Sequence, residues 1–178
     1  MRKLSLLELN RLDTETFKEI EKTPLVLVLD NIRSAHNVGA AFRTADGFAL
    51  QGIHLCGITA KPPSREITKT AIGATESVSW TYFKDTLESI QWLKSHQYQI
   101  IGVEQTSQSD DLINYGFDFT KPTALVFGNE VSGISDEVIP QLDGAVEIPQ
   151  WGTKHSLNVS VCIGILSFDF VRQYQSKK

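Results

Sequence analysis

Short apolar runs alternate with helix-like segments along almost the whole sequence, and this alternation restricts the possible folds strongly. The first run, "PLVLVLD" at residues 24–30, is almost continuously apolar and has the length of a strand. Such a run is typical of a strand buried on both faces, as in a parallel sheet. It is followed by "NVGAAFRTADGF", in which apolar residues recur at helical spacing. This part of the chain therefore predicts a strand that leads into a helix.

The same alternation continues to the C-terminus. Further strands are predicted over "GIHLCGI", "SVSWTYF", "QIIGVEQ", "TALVFGN" and "GAVEIP". Helices are predicted over "EITKTAIGA", "TLESIQWLKSH" and "SDEVIPQL", the last one capped by Ser135, and "TSQSDDLINYGFDFTKP" predicts a polar loop. The closing segment, "NVSVCIGILSFDFVRQYQ", is so apolar that we expect a buried helix. About six strands alternating with helices predict an α/β fold with a mainly parallel sheet and helices on both faces.

The sequence divides into a short arm and one compact domain. Residues 1–23 are charged and carry apolar residues at helical spacing, so we expect a helical arm, with Asp13 and Thr14 as the candidate caps. Residues 24–178 contain no linker and no repeat, and they predict a single domain with its own core.

Charge and cysteine content narrow the functional classes only slightly. The formal net charge of −4 gives no hint of a nucleic-acid partner, although a local basic patch can sit on an acidic protein. Cys56 and Cys162 lie inside apolar runs, and the charged N-terminus does not resemble a secretory signal. No apolar run approaches the roughly 20 residues of a membrane span. We therefore expect a cytoplasmic protein with reduced cysteines and no membrane partner.

Several familiar chemistries have no signature here. The glycine fingerprint of dinucleotide-binding folds does not follow the first strand, and no phosphate-binding loop of the P-loop type occurs. The histidines and cysteines show no metal-ligand spacing, so we expect no metal site. His155 and Ser156 are adjacent, but neighbouring side chains point apart and there is no nucleophile elbow, which argues against a serine hydrolase.

Ligands of open parallel sheets bind at the carboxyl ends of the strands. In this sequence that rule selects the loops "DNIRSAHN", "VEQTS", "FGNEVSGIS" and "IPQWGTKHSLN". Two of them carry more glycine, polar and charged residues than a turn requires. The sequence therefore predicts a binding site among these loops.

Three segments resemble the motifs of one family. They are "NIRSAHNVGAAFRTADGF" at residues 31–48, "ALVFGNEVSGIS" at residues 124–135 and "VEIPQWGTKHSLNVSVCIGIL" at residues 146–166. In this order and at these separations they resemble the SpoU-type branch of the SPOUT superfamily, the RNA ribose 2′-O-methyltransferases. The resemblance extends from about residue 24 to residue 173 and makes residues 24–178 a SPOUT methyltransferase domain.

The resemblance implies a fold, a cofactor and an assembly. The expected fold has a deep C-terminal trefoil knot, the cofactor is S-adenosylmethionine, and the protein is a homodimer with its active site near the interface. Backbone and apolar groups would hold the cofactor, while Glu104 and Gln105 are looser candidates for its ribose. Ordinary core packing remains the alternative for Ile148 and Leu157. The implied cofactor-binding residues are Glu104, Gln105, Phe127, Gly128, Ile148, Gln150 and Leu157.

The implied catalytic residues are Arg43, Asn37, Glu130, Ser156 and Asn158. Arg43 matches the arginine regarded as the activator of the ribose hydroxyl. Because a guanidinium stays protonated in nearly all protein sites, binding of a phosphate and stabilisation of the developing alkoxide remain the alternative role. Glu130 is expected to hold Arg43 or Asn37, or to accept a proton. Ser156 and Asn158 are expected to cap the last helix and to bond the ribose.

RNA is the expected partner, with transfer RNA as the first candidate and ribosomal RNA as the second. Exposed cations near the site are expected to contact phosphates. They are Arg33, Lys61, Arg65, Lys69 and Lys154. For Lys154 and His155, both an RNA contact and a plain loop position remain possible interpretations. For the N-terminal arm, the two interpretations are RNA binding and packing on a partner subunit. Two alternatives stay open: a catalytically silent module that binds RNA or cofactor, and a different α/β enzyme that binds a small nucleotide.

Overall fold

The computed structural model describes residues 1–5 and 7–178 and contains a seven-stranded parallel sheet. Its strands are β1 (Thr23–Asp30), β2 (Leu50–Cys56), β3 (Trp80–Phe83), β4 (Gln99–Val103), β5 (Asp110–Asp111), β6 (Thr123–Phe127) and β7 (Gly144–Glu147). Their order is β3-β2-β1-β6-β4-β7-β5, and every neighbouring pair is parallel. The predicted α/β class is confirmed. β5 is the additional strand, and it was missed because two aspartates that pair with β7 have no apolar pattern.

Residues 1–5 and 7–178 contain six α-helices, of which four connect strands, and most of the six begin at a side-chain cap. They are α1 (Thr14–Glu19), α2 (Ala35–Gly47), α3 (Arg65–Ala71), α4 (Ala74–Ser77), α5 (Thr86–Ser95) and α6 (Val159–Gln175). The side chains that accept a backbone N–H at a helix start are Asp13 for α1, Ser34 for α2, Asp85 for α5 and Asn158 for α6. Asp13, of the two candidates, therefore caps the first helix. Residue 6 of the expected arm lies outside the described residues.

The two faces of the sheet bury separate cores. Alternate residues of β1 point to opposite faces, as a pleated strand requires: Leu25, Leu27 and Leu29 join the core that α2, α3, α4 and α6 cover, whereas Val26 and Val28 join the core under α5. Helices thus lie on both faces, as the continuously apolar first strand predicted. No helix in the described part of the chain is long and apolar enough to cross a membrane.

Two predicted helices are wrong in detail. "SDEVIPQL" forms turns and a short 3-10 helix, Ile139–Gln141, instead of an α-helix. Pro140 explains this, because it has no N–H to donate and disfavours helical backbone at the residue before it. "EITKTAIGA" is divided between α3 and α4, because Ile72 and Gly73 both have left-handed backbone, with φ of 50° and 86°.

The last helix, α6, is buried on one side only. Val159, Ile163, Leu166 and Phe170 pack into the core, but Phe168 is 57% exposed and Val161 is 48% exposed. The expectation of a buried helix is therefore correct for one face of α6 and wrong for the other. The apolar composition of α6 serves two surfaces, one against the sheet and one that faces outward.

Candidate active site

A cleft of about 750 Å³ opens at the carboxyl ends of β4, β6 and β7. These strands are neighbours in the sheet or one strand apart, so the loops that follow them meet at one edge. All seven predicted cofactor residues line the cleft: Glu104, Gln105, Phe127, Gly128, Ile148, Gln150 and Leu157. Glu130, Ser156 and Asn158 of the predicted catalytic set line it as well, together with His155. Segments separated by about 50 residues in sequence therefore form one cavity.

The loop after β6, residues 128–135, folds back on itself as a tight hairpin. The backbones of Asn129 and Gly133 exchange two hydrogen bonds of 2.9 Å. A Cβ atom on Gly128 would overlap the backbone of Gly133 and Ile134, and Gly133 has a φ of 72°, which favours glycine. Both glycines are therefore required by the close approach and the turn of the 128–135 loop.

Glu130, at the tip of this loop, binds the start of α2. Its carboxylate accepts hydrogen bonds from the backbone N–H of Arg33 (2.8 Å) and Ser34 (3.0 Å) and from the side-chain amide of Asn37 (2.9 Å). Partial burial raises the pKa of Glu130, but the hydrogen bonds from Arg33, Asn37 and Ser34 outweigh it, so that its pKa lies below the ordinary value. Glu130 is therefore an ionised anchor for Asn37 and is poorly suited to accept a proton.

Asn129 and Glu104 hold the 128–135 loop from two sides. The side-chain amide of Asn129 donates to the backbone oxygen of Asn31 at 2.7 Å, next to the end of β1. Glu104, at the end of β4, accepts from the backbone N–H of Ile134 at 3.1 Å and from that of Gln105 at 2.9 Å. Glu104 thus shapes the cleft as well as lining it.

The segment before α6 lines the cleft through residues 155–158. Residues 151–158 are all exposed, and Asn158 caps α6 by accepting the backbone N–H of Ser160 at 2.8 Å. The amide nitrogen of Asn158 is not used by this cap. Ile148 is half-buried against the core, whereas Leu157 remains 38% exposed at the cleft. Of these two apolar residues, only Ile148 also serves the core.

Arg43 lies apart from the other predicted catalytic residues. It is exposed on α2 and does not line the cleft of its own chain. Among residues 1–5 and 7–178, none forms an ion pair with its guanidinium. Of the two expected partners of Glu130, the structure shows Asn37 and not Arg43, because Asn37 and the start of α2 occupy that carboxylate. Asn37 lies six residues before Arg43, and a helix turns about 100° per residue, so these two side chains lie on different faces of α2.

The predicted RNA-binding cations are all exposed: Arg33, Lys61, Arg65, Lys69 and Lys154. Arg33 and Lys61 follow β1 and β2, so they extend the same edge of the sheet as the cleft. The ammonium of Lys61 lies 3.9 Å from the centre of the Tyr82 ring, an arrangement that leaves both groups at the surface. Within the described ranges, no group of three or more His, Cys, Asp or Glu is arranged to hold a metal ion.

Comparison with known proteins gives the family. The model of the SpoU rRNA Methylase family matches residues 24–168, which is most of the chain. The chain belongs to the SpoU rRNA methylase family. The family assignment confirms the resemblance in the three motif segments, all of which lie within the matched range.

Named members of the family act on two kinds of RNA. The chain is 32% identical over 152 residues to a tRNA (guanosine(18)-2′-O)-methyltransferase of Thermus thermophilus, an alignment that covers 84% of this chain and 75% of that protein. It is 34% identical over 173 residues to a 23S rRNA (guanosine-2′-O-)-methyltransferase of Haemophilus influenzae, covering 93% and 67%.

Solved structures of SpoU methyltransferases share the fold. The tRNA-modifying TrmH/SpoU enzyme of A. aeolicus superposes with a TM-score of 0.79 at 27% identity, over 92% of this chain and 81% of that one. The SpoU methyltransferase AviRb of Streptomyces viridochromogenes, in complex with AdoMet, gives a TM-score of 0.79 at 25% identity. That comparison covers 89% of this chain and 64% of AviRb, so the chain spans less than two thirds of that protein.

The sequence did not reveal the residues that hold the SpoU site together. Asp30, Asn31 and Asn129 make the bonds that join the 128–135 loop to the end of β1, but none of them was singled out. One signal was available: Asp30 ends a strand that is otherwise apolar, and a carboxylate at such a place needs hydrogen-bond donors.

Proposed function

We propose that the chain transfers a methyl group from S-adenosylmethionine to a ribose 2′-hydroxyl of RNA. The observation that carries the proposal is the convergence of the second and third motif segments on one cleft, with the first motif attached to it through Glu130 and Asn37. The named relatives, which are tRNA and 23S rRNA 2′-O-methyltransferases, support the same reaction.

The cleft fits a cofactor of this size and chemistry. Its volume lies within the roughly 300–1,000 Å³ of small-molecule sites. Gly128 brings backbone close to the cavity, Ile148 and Leu157 offer apolar contact to a flat base, and Glu104 offers carboxylate oxygens to hydroxyl or amine groups. S-adenosylmethionine, when bound, supplies an activated methyl group.

The residues of the chain have to orient the ribose and assist the loss of its proton. Glu130 fixes the amide of Asn37 at the rim of the cleft, so that Asn37 is held in one orientation before RNA arrives. Ser156 and the free amide nitrogen of Asn158 are available to bond the ribose. Arg43 binds a phosphate and stabilises negative charge as it develops on the 2′-oxygen.

We propose transfer RNA as the first substrate class to test and ribosomal RNA as the second, in the cytoplasm. The exposed cations Arg33 and Lys61 lie along the edge of the sheet that carries the cleft, where they suit a phosphate backbone. Arg65, Lys69 and Lys154 are the further candidates for phosphate contact.

We further propose a homodimer, together with the family's trefoil knot. Support for the dimer comes from an apolar groove beside the cleft, about 390 Å³ in volume, whose lining includes Trp151, Ile165 and Phe168. Exposed apolar patches of this kind mark association surfaces.

Sedimentation of two variants tests the dimer. Phe168→Glu should give a monomer, while Ile72→Glu, at an exposed isoleucine elsewhere, should leave the dimer intact. A wild-type monomer would contradict the dimer.

Calorimetry and an RNA map test the reaction. The wild-type chain should bind S-adenosylmethionine with measurable heat, and RNA from cells without the gene should lack one or more 2′-O-methyl groups. Binding without any lost methyl group would favour the catalytically silent module. No binding at millimolar cofactor would contradict the proposal.

A further inference from the structure

Asp30 is a buried carboxylate at the end of β1 that the proposed methyl transfer does not use directly. Its side chain has 0% exposure. No lysine, arginine or histidine in the described ranges, 1–5 and 7–178, forms an ion pair with it. A carboxylate in such surroundings is unfavourable unless hydrogen-bond donors surround it. The donors around Asp30 therefore indicate what the residue holds in place.

Four hydrogen bonds reach this carboxylate. Its Oδ1 atom accepts from Thr86 Oγ1 at 2.5 Å, from Asn31 Nδ2 at 2.9 Å and from Ser135 Oγ at 3.1 Å. Its Oδ2 atom accepts from the backbone N–H of Ser135 at 2.7 Å. Two of the four bonds thus come from Ser135, which is the last residue of the 128–135 loop.

The 128–135 loop links the Asp30–Ser135 bonds to the cleft. Gly128, at its start, lies so close to Gly133 and Ile134 that even one added carbon would overlap their backbone. The two ends of the loop are therefore in contact, and a shift at Ser135 moves Gly128 as well. Gly128 lines the cleft that we propose for the cofactor.

We propose that Asp30 is a positioning residue for the methyltransferase site. It acts through Ser135 and fixes the 128–135 loop in the geometry that binds the cofactor. Glu130, Asn129 and Glu104 hold the tip and middle of the loop, whereas Asp30 holds the end of the loop against the end of β1. This inference rests on the proposed function, because it assigns the role of Asp30 to cofactor binding.

The test compares cofactor affinity with thermal stability in matched variants of the full chain. Ser135→Ala removes the hydroxyl donor, Asp30→Asn replaces an acceptor oxygen by a donor, and the double variant measures whether the two residues act together. Thr86→Val is the control, because it removes a bond to the same carboxylate from α5, which lies away from the cleft. The dissociation constant of S-adenosylmethionine is measured by calorimetry, and the melting temperature is measured without ligand.

Ser135→Ala and Asp30→Asn should each weaken cofactor binding by about tenfold, the size expected for a lost hydrogen bond to a charged group. The double variant should be little weaker than the weaker single one. Ser135→Thr, which keeps a hydroxyl, should restore most of the affinity. Thr86→Val should lower the melting temperature and leave the dissociation constant unchanged.

A dissociation constant that stays at the wild-type value in both variants, with only the melting temperature lowered, would overturn the inference and leave Asp30 a structural residue. If Asp30→Asn fails to fold, Ser135→Ala and its threonine counterpart decide alone. A wild-type chain that binds no S-adenosylmethionine would contradict the proposed function itself, so the two failures are distinguishable.

Discussion

The side-chain amide of Asn37 donates a hydrogen bond of 2.9 Å to Glu130, although the two residues are 93 positions apart in sequence. The same carboxylate accepts the backbone N–H groups of Arg33 and Ser34 at the start of α2. A negative charge is favourable at the N-terminus of a helix, where free N–H groups point outward. Glu130 therefore joins the first motif to the second by charge and by geometry.

Glu130→Gln should reduce methyl transfer, because a neutral amide has only one acceptor oxygen for three donors. We expect kcat/KM to fall by about 10- to 100-fold, since hydrogen bonds to charged groups contribute roughly 1.5–3 kcal/mol. Glu137→Gln is the matched control: Glu137 is an exposed glutamate on the same segment and should keep wild-type kinetics. Equal kinetics of both variants and the wild type would show that the anchor is dispensable.

The anchor also predicts a dependence of stability on pH. The pKa of Glu130 is lowered in the folded chain, so its stabilising contribution is complete above the ordinary value of 4.5 and is lost as the pH falls through the folded pKa. The difference in melting temperature between wild type and Glu130→Gln should be largest near neutral pH and should shrink as the pH falls below the ordinary pKa of 4.5. A difference that is constant from pH 3 to pH 7 would mean that ionisation of Glu130 does not stabilise the fold.

Gly128→Ala should weaken cofactor binding strongly. The added methyl group would overlap the backbone of Gly133 and Ile134, so the 128–135 loop would have to open. Calorimetry with S-adenosylmethionine should detect about 100-fold weaker binding, since overpacking is unfavourable by roughly 1–3 kcal/mol and an overlap with backbone atoms lies at the upper end of that range. Gly116→Ala, where nothing lies within 4 Å of the added atom, should bind as the wild type does.

The parts of the fold that were predictable depend on local sequence. Strand β1 is predictable because its eight consecutive residues are nearly all apolar, which is typical of a parallel strand buried on both faces. The site loops follow from the strands, because their carboxyl ends meet at one edge of the sheet. The cofactor residues came from the family resemblance, and their common cleft agrees with it.

The parts that were missed depend on pairings between residues distant in sequence, or on one residue that disfavours the structure predicted by its neighbours. Asn129 bonds Asn31 across 98 positions, and nothing local in "FGNEVSGIS" or "DNIRSAHN" encodes that pair. Pro140 stops a helix that the apolar spacing of its neighbours predicted. The composition of α6 predicts core on all sides, because composition does not distinguish a buried face from an association surface.

Arg43 should act on the cleft of the second copy if the chain is a homodimer. It is exposed and does not line the cleft of its own chain, and a two-fold interface that includes α2 would place the Arg43 of one copy at the cleft of the other. Arg43→Ala should abolish methyl transfer and bind S-adenosylmethionine normally. Gly128→Ala should be inactive for a different reason, because its cleft binds the cofactor too weakly while its Arg43 is intact.

Mixing these two inactive variants is therefore a decisive measurement. In a randomly exchanged mixture half of the dimers are mixed, and each has one cleft with an intact Gly128 that faces an intact Arg43. Methyl transfer should then recover to about a quarter of the wild-type rate. Arg43→Lys is the control for charge. Measured on its own, without mixing, this variant should transfer methyl groups more slowly than the wild type, because lysine keeps the charge but lacks the planar fork of arginine. A mixture that stays inactive would assign Arg43 to its own chain.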